Sequence, residues 1–195
     1  MKKQAFVIAL AALLAFGAVA PGAAAPGAAT LEPLMASGDL AVTAGIGYGF
    51  LWGAIDVSGG VEYMLGQFTV AGILPFTYGA AAKASFYSWN GGLGTDYVDS
   101  YLGAGVFGTL HFGLRDLDLP DGLSFLANVD TYIGLGAGFF SQTYGYSASK
   151  STAFKVGIRG TGGVNYFIAP NIAITTEGGY YGGYSSGLVG LLFKL

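Results

Sequence analysis

From Leu40 to Trp52 the chain alternates with a period of two. Leu40, Val42, Ala44, Ile46, Tyr48, Phe50 and Trp52 fall on one face, and Ala41, Thr43, Gly45, Gly47, Gly49, Leu51 and Gly53 on the other. Strict alternation over this length predicts a β-strand with two chemically different faces. Seven further segments alternate in the same way, near 55–66, 76–88, 100–113, 124–140, 153–167, 172–182 and 187–195. Their bulky faces carry Ile55, Val57 and Tyr63; Phe76, Tyr78 and Phe86; Leu102, Val106 and Leu110; Phe125, Ile133 and Phe139; Phe154, Val156 and Ile158; Ile172 and Ile174; and Val189, Leu191 and Phe193. The small face carries every ionisable residue of the eight segments: Asp56, Glu62, Lys83, His111, Asp130, Lys155, Arg159, Glu177 and Lys194.

A water-soluble barrel buries its bulky apolar face and exposes charge. Here the bulky face is free of charge, and the face crowded with glycine holds the charges, which is the arrangement of a barrel surrounded by lipid. Strands of about ten residues or slightly more match a tilted crossing of a bilayer. The predicted fold is all-β, an eight-stranded antiparallel up-and-down transmembrane barrel over 40–195. An interior of that size is narrow enough for side chains to fill. Inward Met64, Leu126 and Leu192 point to a packed lumen, and aromatic residues near the segment ends suggest two interfacial girdles. With the N-terminus inside, loops at 53–54, 89–99, 141–152 and 183–186 face outward. Turns at 67–75, 114–123 and 168–171 then face the periplasm.

Composition sharpens this picture. The chain of 195 residues has 35 glycines, 15% aromatic residues and only 10% charged residues, with a mean hydropathy of +0.57. Residues 1–25 read as a signal peptide: Lys2 and Lys3 precede an apolar stretch, with cleavage expected among 23–30. Residues 26–39 lack periodicity and read as a short flexible leader. Without Lys2 and Lys3 the net charge moves from −3 to about −5, so no basic patch is available for nucleic acid. There is no cysteine, hence no disulfide and no zinc–thiolate site.

Motifs for chemistry are weak. Gly103, Gly105 and Gly108 match a dinucleotide fingerprint in spacing, but they lie within a strand and open no helix. Asp116, Asp118 and Asp121 resemble a calcium loop, yet Ala127 stands where the bidentate Glu belongs. The sole histidine, His111, has no serine clearly placed beside it for a triad. No catalytic residue, metal site or cofactor is expected.

The closing segment, Gly187-Leu-Val-Gly-Leu-Leu-Phe-Lys-Leu195, is alternating and apolar and reaches the last residue. It resembles the closing-strand signal of bacterial outer-membrane barrels, although that family usually ends in Phe, whereas this chain ends in Leu195 with Phe193 two places earlier. Together with the eight segments, residues 40–195 resemble the small barrels of the OmpA transmembrane-domain, OmpX and OmpW type. The resemblance implies an outer-membrane location in a diderm bacterium with a periplasmic N-terminus. It also implies contact with outer-membrane lipids or lipopolysaccharide, and periplasmic chaperones and assembly machinery that read Phe193 and Leu195. A monomer is expected.

In the lumen, the depth of each charge along its hairpin predicts a Glu62–Lys83 pair and an Arg159–Glu177 pair, since an uncompensated buried charge is costly. The pairs resemble the charged core of the OmpA barrel. Asp56, His111, Asn128, Asp130, Lys155, Asn165 and Lys194 are the other polar side chains expected to face the lumen. The leading functional reading is a non-enzymatic structural or surface-interaction protein. A narrow conduit for ions or small solutes stands second, and a lipid-modifying enzyme third.

Overall fold

A computed structural model describes residues 33–195, apart from 49–52, 72–73, 92–95, 116–118 and 181–184. The signal peptide, Phe50, Trp52 and residues 26–32 of the leader lie outside the described residues. Eight antiparallel strands close into a barrel in sequence order: β1 (Leu40–Gly47), β2 (Ile55–Val70), β3 (Leu74–Asn90), β4 (Tyr97–Gly113), β5 (Val129–Tyr146), β6 (Ser149–Ala169), β7 (Ile172–Tyr180) and β8 (Ser185–Lys194). β1 closes the ring on β8, with Ala41 opposite Lys194 and Gly47 opposite Leu188. Closure pairs the first strand with the last, so neither is left as a free edge strand, as hydrocarbon demands.

The side-chain parity follows the sequence reading. Val106 on the outer face is 64% exposed, whereas its neighbour but two, Thr109, is 4% exposed inside. Outward Ile46, Leu102, Leu135, Ile158 and Ile174 are likewise open to the surroundings, although all are apolar. A β-bulge between Met64 and Gly66 resets the alternation of β2, so Phe68 joins the outer face and stacks on Phe76 at 5.6 Å. Phe76 stacks in turn on Phe112 at 5.1 Å. This forms an aromatic band at the end where β2 turns into β3, here termed the turn end.

The opposite end, the loop end, departs from expectation. The segment read as a loop at 141–152 is largely strand, and strand also enters 89–99 at both ends, over 89–90 and 97–99. β5 and β6 stay paired to Tyr146 and Ser149, and β4 pairs β5 up to Tyr97 and Tyr146. β3–β6 therefore rise as a four-stranded ridge beyond the rim formed by β1, β2, β7 and β8. Serine, threonine and tyrosine hold this sheet together, as in the Thr143–Thr152 hydroxyl contact at 3.0 Å. Tyr87, Trp89 and Phe140, read as part of a lipid girdle, belong to the inner face of this ridge, where further aromatics join them. Trp89 lies 6.3 Å from Tyr97, Tyr97 meets Tyr146 edge-on at 5.3 Å, and Tyr101 lies 5.7 Å from Phe140. Tyr48, Phe86, Phe139 and Phe154 do face outward at this level.

Two more corrections concern the turn end. β5 begins at Val129, not 124, because Pro120 opens a 3-10 helix over Asp121–Asn128; proline presets the helical φ and cannot serve a central strand. Leu126 and Asn128 thus leave the lumen, and Asn128 is exposed. Within the leader, Pro33–Asp39 pack against the barrel. Leu34 and Met35 are fully buried against Ala41, Met64, Phe167, Ala173 and Leu192, closing the turn-end mouth as an apolar plug. Gly38 N–H donates to the Met64 carbonyl at 2.9 Å, Met64 N–H donates to the Asp39 carbonyl at 2.9 Å, and Ala36 N–H donates to Asp39 Oδ2 at 2.8 Å.

Candidate functional site

The chemistry-bearing side chains converge in the lumen, because alternation sends each inward-pointing polar residue into a space only a few side chains wide. They assemble as two polar bars. In the first, Lys83 of β3 reaches Glu177 of β7, on the diametrically opposite wall, through Glu177 Oε2. Tyr132 of β5 donates its hydroxyl to the same Oε2 and accepts from Lys83 Nζ at 3.1 Å. The ammonium also sits 4.6 Å from the Tyr132 ring centroid. Charge, hydroxyl and ring face are thus all used, and charge-assisted bonds of this kind are the strong ones.

The second bar runs through His111 of β4. Its Nδ1 lies 2.9 Å from Asp130 Oδ2 of β5, and its Nε2 lies 3.0 Å from Glu62 Oε1 of β2. Asn165 of β6 donates to the same Asp130 oxygen at 2.9 Å, extending the bar from β2 to β6. His111 stacks on Tyr132 at 5.0 Å with rings 15° from parallel, so one tyrosine couples the two bars. When protonated, His111 donates from both nitrogens and satisfies both carboxylates at once.

The Glu62–Lys83 pairing read from the sequence is corrected here. Glu62 bonds His111 rather than Lys83, and Glu177 Oε2 is taken by Lys83 and Tyr132. In so narrow a barrel a long lysine can reach the opposite wall, and Lys83 does so. Arg159, 2% exposed, packs its guanidinium 5.6 Å from the Phe140 ring. Two glycines make this density achievable. A Cβ at Gly138 would lie 2.2 Å from the Ala104 carbonyl and 2.8 Å from Arg159 Nε, and one at Gly163 would lie 2.7 Å from the Tyr132 ring. The glycines make room for large inward side chains. The cavity beside Thr43, Ser58, Glu62, Lys83 and Glu177 has a volume of about 20 Å³, room for about one water.

The remaining predicted residues lie elsewhere. Asp56 points inward near the loop end, against Gly47. Lys155 stands above the rim on the inner face of the ridge, 5.6 Å from the Phe140 ring. Lys194 belongs to the plug: it bonds the Leu34 carbonyl at 3.0 Å and Asp39 at 3.2 Å. Phe193 faces outward between Val42 and Ile172, and Leu195 N–H donates to the Leu40 carbonyl at 2.8 Å. Sequence reasoning missed Tyr132 as the hub and Asp39 as an ion-pair partner. An inward tyrosine beside the small-residue run Gly134, Gly136 and Gly138 was the available signal for Tyr132; Asp39, outside any periodic segment, gave none.

No protein-family model matches the chain, and no curated protein matches it by sequence. Solved structures do. Ail, the attachment invasion locus protein of Yersinia pestis, superposes with a TM-score of 0.52 at 11% identity, covering 82% of this chain and 99% of that one. The N-terminal β-barrel domain of Pseudomonas aeruginosa OprF gives 0.50 at 12% identity, covering 82% and 98%. The fold is that of a small outer-membrane β-barrel. At these identities the likeness is one of architecture, and the function has to come from the residues of this barrel itself.

Proposed function

We propose that this protein is a non-enzymatic barrel of the diderm outer membrane, with its N-terminus in the periplasm. In this reading it serves as a structural element that presents a surface ridge outside the cell. What supports the reading is the filling of the barrel interior by side chains. The plug of Leu34 and Met35, the two polar bars and the packed Arg159–Phe140 layer succeed one another along the axis, and the cavity beside the first bar holds about one water. A solute conduit needs a continuous wet path, which this succession opposes. His111 is an unsuitable general base, since it is buried and both ring nitrogens are already engaged.

Lipopolysaccharide and other outer-membrane lipids would meet the apolar belt. Periplasmic chaperones would deliver the chain, and the assembly machinery would read Phe193 and Leu195 on β8. We infer a monomer. Two measurements test the proposal: heat-modifiable gel mobility for the folded barrel, and single-channel recording in a planar bilayer for the lumen. Wild type should show a mobility shift and no steady conductance. Stable openings in the wild-type barrel would overturn the closed-lumen reading in favour of a conduit.

A further inference from the structure

The inner face of the ridge brings aromatic rings and carboxylates together. Trp89 of β3 lies opposite Asp99 of β4, which lies opposite Tyr144 of β5. One row nearer the tip, Tyr97 lies opposite Tyr146. One row farther down, Asp56, Tyr87, Tyr101 and Gln142 follow one another from β2 to β5. Alternation gathers all of these side chains on a single face.

The upper rings do not form a flat stack. Tyr97 meets Trp89 at 6.3 Å with the planes 58° apart, and meets Tyr146 at 5.3 Å and 80°. The three rings stand as the walls of a corner. Tyr146 is 61% exposed, and Trp89 and Tyr97 are half-buried. Beside the corner, Gln142 Nε2 donates to Asp99 Oδ1 at 3.1 Å and fixes the carboxylate in place.

Other rings in this molecule show what such a surface attracts. Lys155 Nζ and the Arg159 guanidinium each lie 5.6 Å from the Phe140 ring, and Lys83 Nζ lies 4.6 Å from that of Tyr132. Among the described residues, no cation of the chain sits over Trp89, Tyr97 or Tyr146: Lys155 is engaged lower down, and Lys150 points to the outer face. Asp56 and Asp99 outnumber Lys155 on the inner face. Ring quadrupoles and net charge therefore favour the same sign of ligand, a cation.

We propose that the corner of Trp89, Tyr97 and Tyr146, with Asp99 at its side, binds a small organic cation of the quaternary ammonium class. Such a cation has no N–H to donate, so it leaves water more readily than a primary ammonium and gains from the faces of several rings. A primary ammonium would give up three hydrogen bonds to water for a wall made mostly of carbon. The proposal rests on the reading of the ridge as a surface element and names the class of ligand that the element takes.

The test uses the full barrel in nanodiscs made of lipids without choline headgroups. Choline is the probe, and saturation-transfer NMR on its methyl protons is the readout. The signal should exceed that of empty discs and weaken as salt is raised. The neutral isostere of choline, in which a tert-butyl group replaces the trimethylammonium, should bind about tenfold more weakly. Trp89→Leu should lower choline affinity about tenfold, whereas Trp89→Phe should retain most of it. Asp99→Asn should lower affinity severalfold and flatten the salt dependence; being nearly isosteric, it tests the site even where Trp89→Leu fails to show the heat-modifiable shift. Phe154→Leu, on the outer face of the ridge, should leave binding unchanged. No excess over empty discs, equal binding of the neutral isostere, or an equal loss from Phe154→Leu would each overturn the proposal. Stable conductance would remove the closed-lumen reading and leave this assay as it stands. A non-conducting barrel that ignores choline would remove the binding proposal alone.

Discussion

β3–β6 pass through two surroundings along a single length of strand, and their outer faces change at the border. Below it the outward residues are Ala82 and Ala84, Val106 and Leu110, Ile133 and Leu135, Val156 and Ile158. Above it they are mostly polar, Ser88 and Asn90, Ser100, Ser141 and Thr143, Lys150 and Thr152, with Val98 the apolar exception. Phe86, Leu102, Phe139 and Phe154 mark the change. Backbone pairing continues unbroken across the line, so the sheet itself is indifferent to it. Only the side chains register whether lipid or water lies outside. The inner faces differ as well. In the spanning part polar groups cross the axis to opposite walls, whereas in the ridge Asp99 and Gln142 bond between adjacent strands at 3.1 Å.

The largest expected contrast pairs Lys83 with Lys155. Lys83→Met strands the Glu177 carboxylate in the lumen and should cost about 3–5 kcal/mol. Lys155→Met, in the ridge, should stay within about 0.5 kcal/mol. Denaturant unfolding in lipid measures both, and a similar cost at the two sites would mean that the first bar is solvated. Next, Val106→Arg should cost about 2–4 kcal/mol of folding into bilayers, while Thr143→Arg, outward on the neighbouring strand but above the border, should change stability by less than about 0.5 kcal/mol. Equal losses would move the membrane boundary up the ridge. The smallest contrast is between tyrosines. Tyr132→Phe removes a donor from Glu177 and an acceptor from Lys83, for about 1–3 kcal/mol. Tyr146→Phe, exposed at the tip, should be neutral within the same measurement; a neutral Tyr132→Phe would dissolve the proposed coupling between the bars.

What the sequence could reveal follows the same border. Lipid imposes period two on the outer face, so strand number, order and inward charges were legible from residues such as Val106, Ile133 and Ile158. Above the border that pressure is absent, and Tyr144, Tyr146, Ser149 and Ser151 read as loop although they pair as strand. The partner of Lys83 was illegible for another reason. Position along a hairpin ranks neighbours by chain, while the lumen ranks them by reach, and Lys83 spans the axis. Asn128 shows the reverse hazard, since apparent alternation in 124–128 conceals a 3-10 helix begun by Pro120. Pro33–Asp39 carry no periodic signal at all, because their order comes from partners distant in the chain, above all Met64, Phe167 and Lys194.

That plug also fixes an order of events. Leu34 and Met35 are produced early in synthesis, yet their pocket includes Phe167 of β6, Ala173 of β7 and Leu192 of β8, and their polar fastening is Lys194. The seat does not exist until the final strand has met the first. Docking of the leader is therefore a late step and serves as a receipt for a finished ring. A protease added during assembly should cut near Ala36 in every unfinished molecule and spare those that have acquired the heat-modifiable form. Early protection of Ala36, ahead of β8 pairing, would reverse that sequence of events.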